Sequence, residues 1–225
     1  MAPSMMGHGR AAARNTRSVS CFRVFVAVFV AARSLVAGAQ PHPAPDLQKL
    51  LQQIKSADTD QLAVSEEDGR FLRVMIATSG AKRVLEVGGA FGYSAVWMGL
   101  GLRHTGGRLT TIEFDATRAK AAAENVKKAG LADIVTVVPG DAFKEIPKIE
   151  GPFDVVFLDA WKDDYELLFG LARTKLDPGG IVVADNVTTS STVEAYAAAR
   201  QADPTLVSVT VPIGHGLEVT TVLQP

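Results

Sequence analysis

Cysteine is almost missing from this 225-residue chain: Cys21 is the only one, and it lies among the first forty residues. Neither a disulfide framework nor a cysteine-ligated metal site is available, and thiols say nothing about redox compartment. An excess of one charge is lacking too. The formal net charge is -1, and no Lys/Arg-dense run with interleaved aromatics occurs in the body of the chain, so nucleic acid has no electrostatic claim on it. Acids are absent before Asp46. No internal repeat or low-complexity tract interrupts the body, and no apolar run is long enough for a comfortable membrane span. What is present is ordinary: 47% hydrophobic and 21% charged residues suit one packed domain with ample core.

The first forty residues differ in kind. Arg10, Arg14, Arg17 and Arg23 precede the apolar run Val24 to Ala32, and Ala37-Gly38-Ala39 before Gln40 suits a signal-peptidase site. Arg33 interrupts that pattern, and the Arg-rich, acid-free character also suits a transit peptide, a weak anchor or a disordered extension. Residues 1–40 are therefore expected to be a targeting leader, with residues 41–225 forming the domain after a short linker at Pro41, Pro43 and Pro45. Export or membrane attachment through the leader is one expectation for location. A cytoplasmic site is the alternative.

In the body, short β-branched runs alternate with helical patterns, as in a parallel sheet covered on both faces. Strands are expected at Arg83–Val87, Leu109–Ile112, Ile134–Val138, Phe153–Leu158 and Ile181–Ala184, and their near-continuous apolarity fits burial on both sides. Helices are expected at Ala116–Ala129, stopped by Gly130, and at Tyr165–Thr174, stopped before the turn Asp177-Pro178-Gly179-Gly180. A helical pair precedes them: Leu47, Leu50, Leu51 and Ile54 at helical spacing, then Ser65 to Ile76 opening on Ser65-x-x-Asp68. Thr205–Val211 and Leu217–Leu223 read as a closing antiparallel hairpin. The fold class is α/β, doubly wound and mostly parallel.

Ligands of such sheets sit beyond the carboxyl ends of the strands, so the residues there carry the functional reading. Glu86-Val87-Gly88-Gly89-Ala90-Phe91-Gly92-Tyr93-Ser94 is a glycine-rich turn opening a helix, where a ligand can approach backbone N–H groups. It departs from G-x-G-x-x-G, which argues against a nicotinamide dinucleotide. Glu113 follows Gly92 by about 20 residues, the spacing at which an acid reaches a ribose diol. Together they favour a nucleoside ligand, with Gly140-Asp141-Ala142 as a rim for its base. The fourth and fifth strands end in Asp159 and in Asp185-Asn186, three hard oxygens that suit a divalent cation such as magnesium and leave positions for a chelating ligand. Asp159 could instead cap a helix, and Asp185-Asn186 could simply make a turn. Lys162 is a solvated charge or a general base, Trp161 a surface cover or a wall for a flat aromatic substrate, and Tyr165 a helix-packing residue.

The ordered motifs VLEVGGAFGYSAV, TTIEFD, PGDA, DAWKDDY, ADNV and PIGHGLEV, spread over residues 60–223, resemble the small metal-dependent S-adenosylmethionine O-methyltransferases of the catechol and caffeoyl-CoA type. The resemblance implies a seven-stranded sheet, a chain that is often a homodimer, S-adenosylmethionine as methyl donor and a divalent ion, usually Mg2+. It implies donor contacts from Val64, Glu86, Gly88, Gly89, Ser94, Glu113, Ala142 and Asp159. It also implies metal ligation by Asp159, Asp185 and Asn186, proton removal by Lys162, and a small hydroxylated acceptor beside Trp161, Lys162 and Asn186. His215 stands where the family often has an aspartate, and Thr188-Thr189-Ser190-Ser191 replaces a bulkier sequence, both at the expected substrate mouth. Other readings are a methyltransferase for a different small hydroxylated acceptor, a non-catalytic S-adenosylmethionine-binding protein, and a dehydrogenase.

Overall fold

The computed structural model describes residues 46–223. The expected leader, residues 1–40, lies outside them. Among the described residues no helix is long and apolar enough to cross a membrane.

Two helices come first, α1 (Leu47–Ala57) and α2 (Glu66–Ser79). α1 buries Leu50, Leu51 and Ile54 as their spacing requires, and Asp46 caps it by accepting from the Lys49 N–H at 3.2 Å. α2 opens on a full capping box: Ser65 Oγ accepts from the Asp68 N–H, and Asp68 Oδ2 accepts from the Ser65 N–H, both at 3.0 Å. Then follow β1 (Arg83–Val87), α3 (Tyr93–Thr105), β2 (Arg108–Glu113), α4 (Ala116–Lys128), β3 (Val135–Pro139) and a short α5 (Ala142–Glu145). β4 (Phe153–Leu158), α6 (Tyr165–Arg173), β5 (Leu176–Ala184), α7 (Ser191–Ala202), β6 (Leu206–Val211) and β7 (Leu217–Val222) complete the chain.

The seven strands are ordered β3-β2-β1-β4-β5-β7-β6. β1 to β5 are parallel, and β7 enters antiparallel between β5 and β6, so the doubly wound sheet and its closing hairpin are as expected. Apolar side chains leave both faces of the central strands. Val84, Val155, Phe157 and Val183 face α1, α2 and α3, while Leu85, Val156, Leu158 and Val182 face α6 and α7. That two-sided burial is why these strands read as continuous apolar runs.

Two departures from the sequence reading have physical reasons. β5 begins at Leu176, so Asp177-Pro178-Gly179-Gly180 lies within an irregular strand: Phe153 pairs with Leu176 and Val155 with Ile181, and the surplus residues bulge outward. Turn residues can be absorbed in this way where the strand is still outside the core. α7 adds a helix to the predicted elements, because the run Thr188 to Thr192 that spans its start has no helical periodicity.

Candidate active site

The order of strands reverses between β1 and β4, and the ends of those strands carry the site. The ladder continues past them, with Asp159 N–H donating to Val87 O and Asp185 N–H to Leu158 O, both at 2.9 Å. Gly88 is required here. Its φ is +96°, and a Cβ built on it would stand 1.9 Å from the Asp159 carbonyl oxygen, so only a residue without a side chain lets the two strand ends meet.

A cavity of about 1110 Å³ opens above these ends. Single-ligand pockets run to roughly 1,000 Å³, so there is room for two ligands side by side. Of the residues assigned to the donor, Val64, Gly88, Glu113, Ala142 and Asp159 line it, as do Trp161, Lys162, Asp185 and Asn186. Glu86, Gly89 and Ser94 do not. Glu86 is fully buried on β1, where the Ser94 hydroxyl donates to it, and burial pushes its carboxyl up to about 7.

Glu113 is held by three donors: the Ala90 N–H at 2.8 Å, the Asp115 N–H at 2.9 Å and Arg118 Nε at 2.9 Å. Ala90 takes the left-handed conformation, φ 41°, in delivering its N–H. The residue after Glu113, Phe114, is exposed and meets Trp161 edge to face with centroids 5.1 Å apart. Trp161 therefore belongs to the same end of the cavity as Glu113.

Lys162, next in the chain after Trp161, opens the short 3-10 turn Lys162–Asp164. Its Nζ donates to Asp159 Oδ1 at 2.9 Å and to the Tyr165 hydroxyl at 2.8 Å. The spacing is three residues each way, and from Lys162 to Tyr165 the 3-10 turn brings both onto one side. Asp159 thus pairs with Lys162, and the cap of the turn, Trp161, uses no side chain. Tyr165 is a packing residue in that its ring is buried, yet its hydroxyl also lies within reach of Leu158 O at 3.1 Å and Asp185 O at 3.0 Å. With one proton to donate, it ties the ends of β4 and β5 to Lys162.

Asp185 is buried, and its carboxyl is pushed up to about 7 by desolvation first and then by the charge of Asp159. Asp159 is raised too: desolvation outweighs the Lys162 ammonium that pulls it down. Asp68 raises both. Asn186 lines the cavity in a left-handed backbone conformation, φ 59°, with its N–H donating to Asp185 Oδ1 at 2.6 Å. Two carboxylates and an amide oxygen from adjacent strand ends make an all-oxygen set, the chemistry Mg2+ takes, and a dication would offset the charge that burial disfavours. His215 lines the cavity, while Thr188 to Ser191 do not.

A family model described as O-methyltransferase matches residues 39–218. The chain belongs to that family. A catechol O-methyltransferase of Niastella koreensis is 37% identical over 138 residues, covering 60% of this chain and 62% of the relative. Another of Mycobacterium tuberculosis is 36% identical over 144 residues, covering 64% and 65%. Less than two thirds of the length of either relative is spanned. The crystal structure of an O-methyltransferase from Bacillus cereus, in complex with SAH, superposes with a TM-score of 0.71 at 28% identity, covering 82% of this chain and 93% of that one. The sequence alone left three residues in or beside the cavity without a role. Phe114 was hidden behind the signal of Glu113, Asp68 was explained by its helix cap, and Tyr165 by its apolar helix face. The three-residue spacing Asp159, Lys162, Tyr165 was the available signal for the last.

Proposed function

We propose that the protein transfers a methyl group from S-adenosylmethionine to one hydroxyl of a small, vicinal dihydroxy aromatic acceptor. Asp159, Asp185 and Asn186 would hold a divalent cation, which supplies charge stabilisation for the ionised acceptor oxygen. The observation that carries the reading is Lys162. Its Nζ donates to Asp159 and to Tyr165, so two of the three positions around the nitrogen are fixed. The third position, a lone pair in the amine form that acts as base, is left for the cavity that Lys162 lines. Lys162 takes the hydroxyl proton, the acceptor oxygen forms its bond to the methyl carbon, and the sulfonium sulfur leaves with the electron pair. Rate comes chiefly from holding oxygen, carbon and sulfur in line.

The residues around the cavity fit that division. Glu113, fixed by Ala90, Asp115 and Arg118, suits a ribose diol, and the Phe114–Trp161 pair beside it suits an adenine ring. Trp161 is better placed there than as a wall for the acceptor. The ordered Lys162 arrangement weighs against a binding protein without turnover. The catechol O-methyltransferase relatives and the SAH-bound neighbour support the donor and the acceptor class.

The test is incubation of the purified protein with S-adenosylmethionine and catechol, with Mg2+ or with a chelator, read by mass for the added methyl group. Metal-dependent methylation is expected, with Lys162→Ala lowering kcat by roughly 10²- to 10⁴-fold. Full turnover by Lys162→Ala would refute the mechanism.

A further inference from the structure

One buried acid faces the site with only one of its two oxygens in use. Asp68 is 2% exposed and lines the same cavity as Asp159, Asp185 and Lys162. Its Oδ2 completes the α2 capping box. Its Oδ1 is sealed from solvent and has no hydrogen-bond partner among the described residues. A cap needs one oxygen, and a buried carboxylate oxygen without a donor is disfavoured unless a ligand supplies one. The chain also holds this carboxylate from outside: a Cβ on Gly214, in the loop between β6 and β7, would lie 2.2 Å from Oδ2. Gly214 has φ +52°, so the close approach comes with a backbone conformation that favours glycine.

We propose that Asp68 is an outer carboxylate of the divalent-cation site, its Oδ1 accepting a hydrogen bond from a water carried by the cation at Asp159, Asp185 and Asn186. The inference rests on the cation reading above. Charge supports it. Asp68, Asp159 and Asp185 set three carboxyl groups against one lysine, Lys162, in the same cavity, and a dication offsets that excess of acid. The other cations of the cavity are engaged elsewhere, Arg118 with Glu113 and Lys55 over the Tyr93 ring. Asp68 makes its charge felt at both Asp159 and Asp185. A water-mediated role fits the spacing, because among the described residues no three acids close into a direct metal cage. It also fits the habit of Mg2+ of keeping several waters.

The test is calorimetric titration of Mg2+ into the full chain, wild type and variants, with thermal unfolding measured alongside. Asp68→Asn and Asp68→Ser each keep an oxygen for the Ser65 N–H and remove the carboxylate. Both are expected to weaken Mg2+ binding about 10- to 100-fold, the scale for outer partners of metal ligands. Ser65→Ala breaks the capping box from its other half and should lower the melting temperature while leaving the Mg2+ affinity unchanged. Asp185→Asn should abolish binding. Asp68 variants with a wild-type Mg2+ affinity overturn the inference alone. If they instead lose affinity for S-adenosylmethionine, Asp68 serves the donor's ammonium and the inference is equally overturned. A wild-type chain that binds no Mg2+ sinks the cation reading and this inference together.

Discussion

Glu86→Gln should make the ligand-free protein more stable at neutral and alkaline pH and leave it nearly unchanged near pH 4.5. Glu86 stands on the central strand β1 with no exposed surface, and its carboxyl is raised from 4.5 to about 7. Burial is the largest cause. Hydrogen bonding by Ser94 opposes it, as does Thr111 from a position short of full hydrogen-bond geometry, and the charges of Asp159 and Glu113 add to the rise. A raised carboxylate is a destabilising one. The unfolded chain ionises Glu86 near 4.5 and the native chain near 7, so between those values the native state binds more protons, and stability falls as pH rises through the window. At 1.36 kcal/mol per unit the full cost is roughly 3 kcal/mol above pH 7. Glutamine reproduces the neutral form and still offers Oε1 to the Ser94 hydroxyl. Urea unfolding of both proteins from pH 4.5 to 8 gives the difference in stability, which should climb from near zero to roughly 3 kcal/mol in favour of the variant. Asp185, raised to about 7, slopes both profiles alike, so the difference curve is the diagnostic. A difference that does not change with pH would refute the assignment of a buried, proton-holding Glu86.

How much of this was legible in the sequence follows from which interactions are local. The strands β1 and β4 were readable to the residue, because burial on both faces writes an unbroken apolar run. The helix α2 was readable from Ser65-x-x-Asp68 because a capping box is complete within four residues. The same completeness hid Asp68, since a local role for one carboxylate oxygen gives no hint that the other is buried against a loop some 150 residues away. Strand-end acids announce a site but not its walls: that Phe114 meets Trp161 depends on β2 and β4 lying two strands apart, with β1 between them. β5 misled for the opposite reason. Its Asp-Pro-Gly-Gly segment has the chemistry of a turn, and only the register with β4 shows that the strand begins before it.

Two further outcomes follow from the geometry at the strand ends. Gly88→Ala places a methyl group where the Asp159 carbonyl stands, at a positive φ, and should cost about 2 kcal/mol or more together with most of the affinity for S-adenosylhomocysteine. Thermal unfolding and calorimetry check both, and a variant with wild-type stability would show that the strand ends are not in contact. Tyr165→Phe separates positioning from packing. The ring and its contacts stay, while Lys162 loses one of its two acceptors and either the Leu158 or the Asp185 carbonyl loses a donor, a stability loss of about 1 kcal/mol. On the proposed mechanism a freed Lys162 no longer directs its lone pair at the acceptor hydroxyl, so kcat should fall about tenfold or more with KM for both substrates within about twofold, since Tyr165 does not line the cavity. If the loss appears in KM instead, Tyr165 shapes the cavity rather than the base, because an amine misdirected only in the transition state leaves ground-state binding as it was.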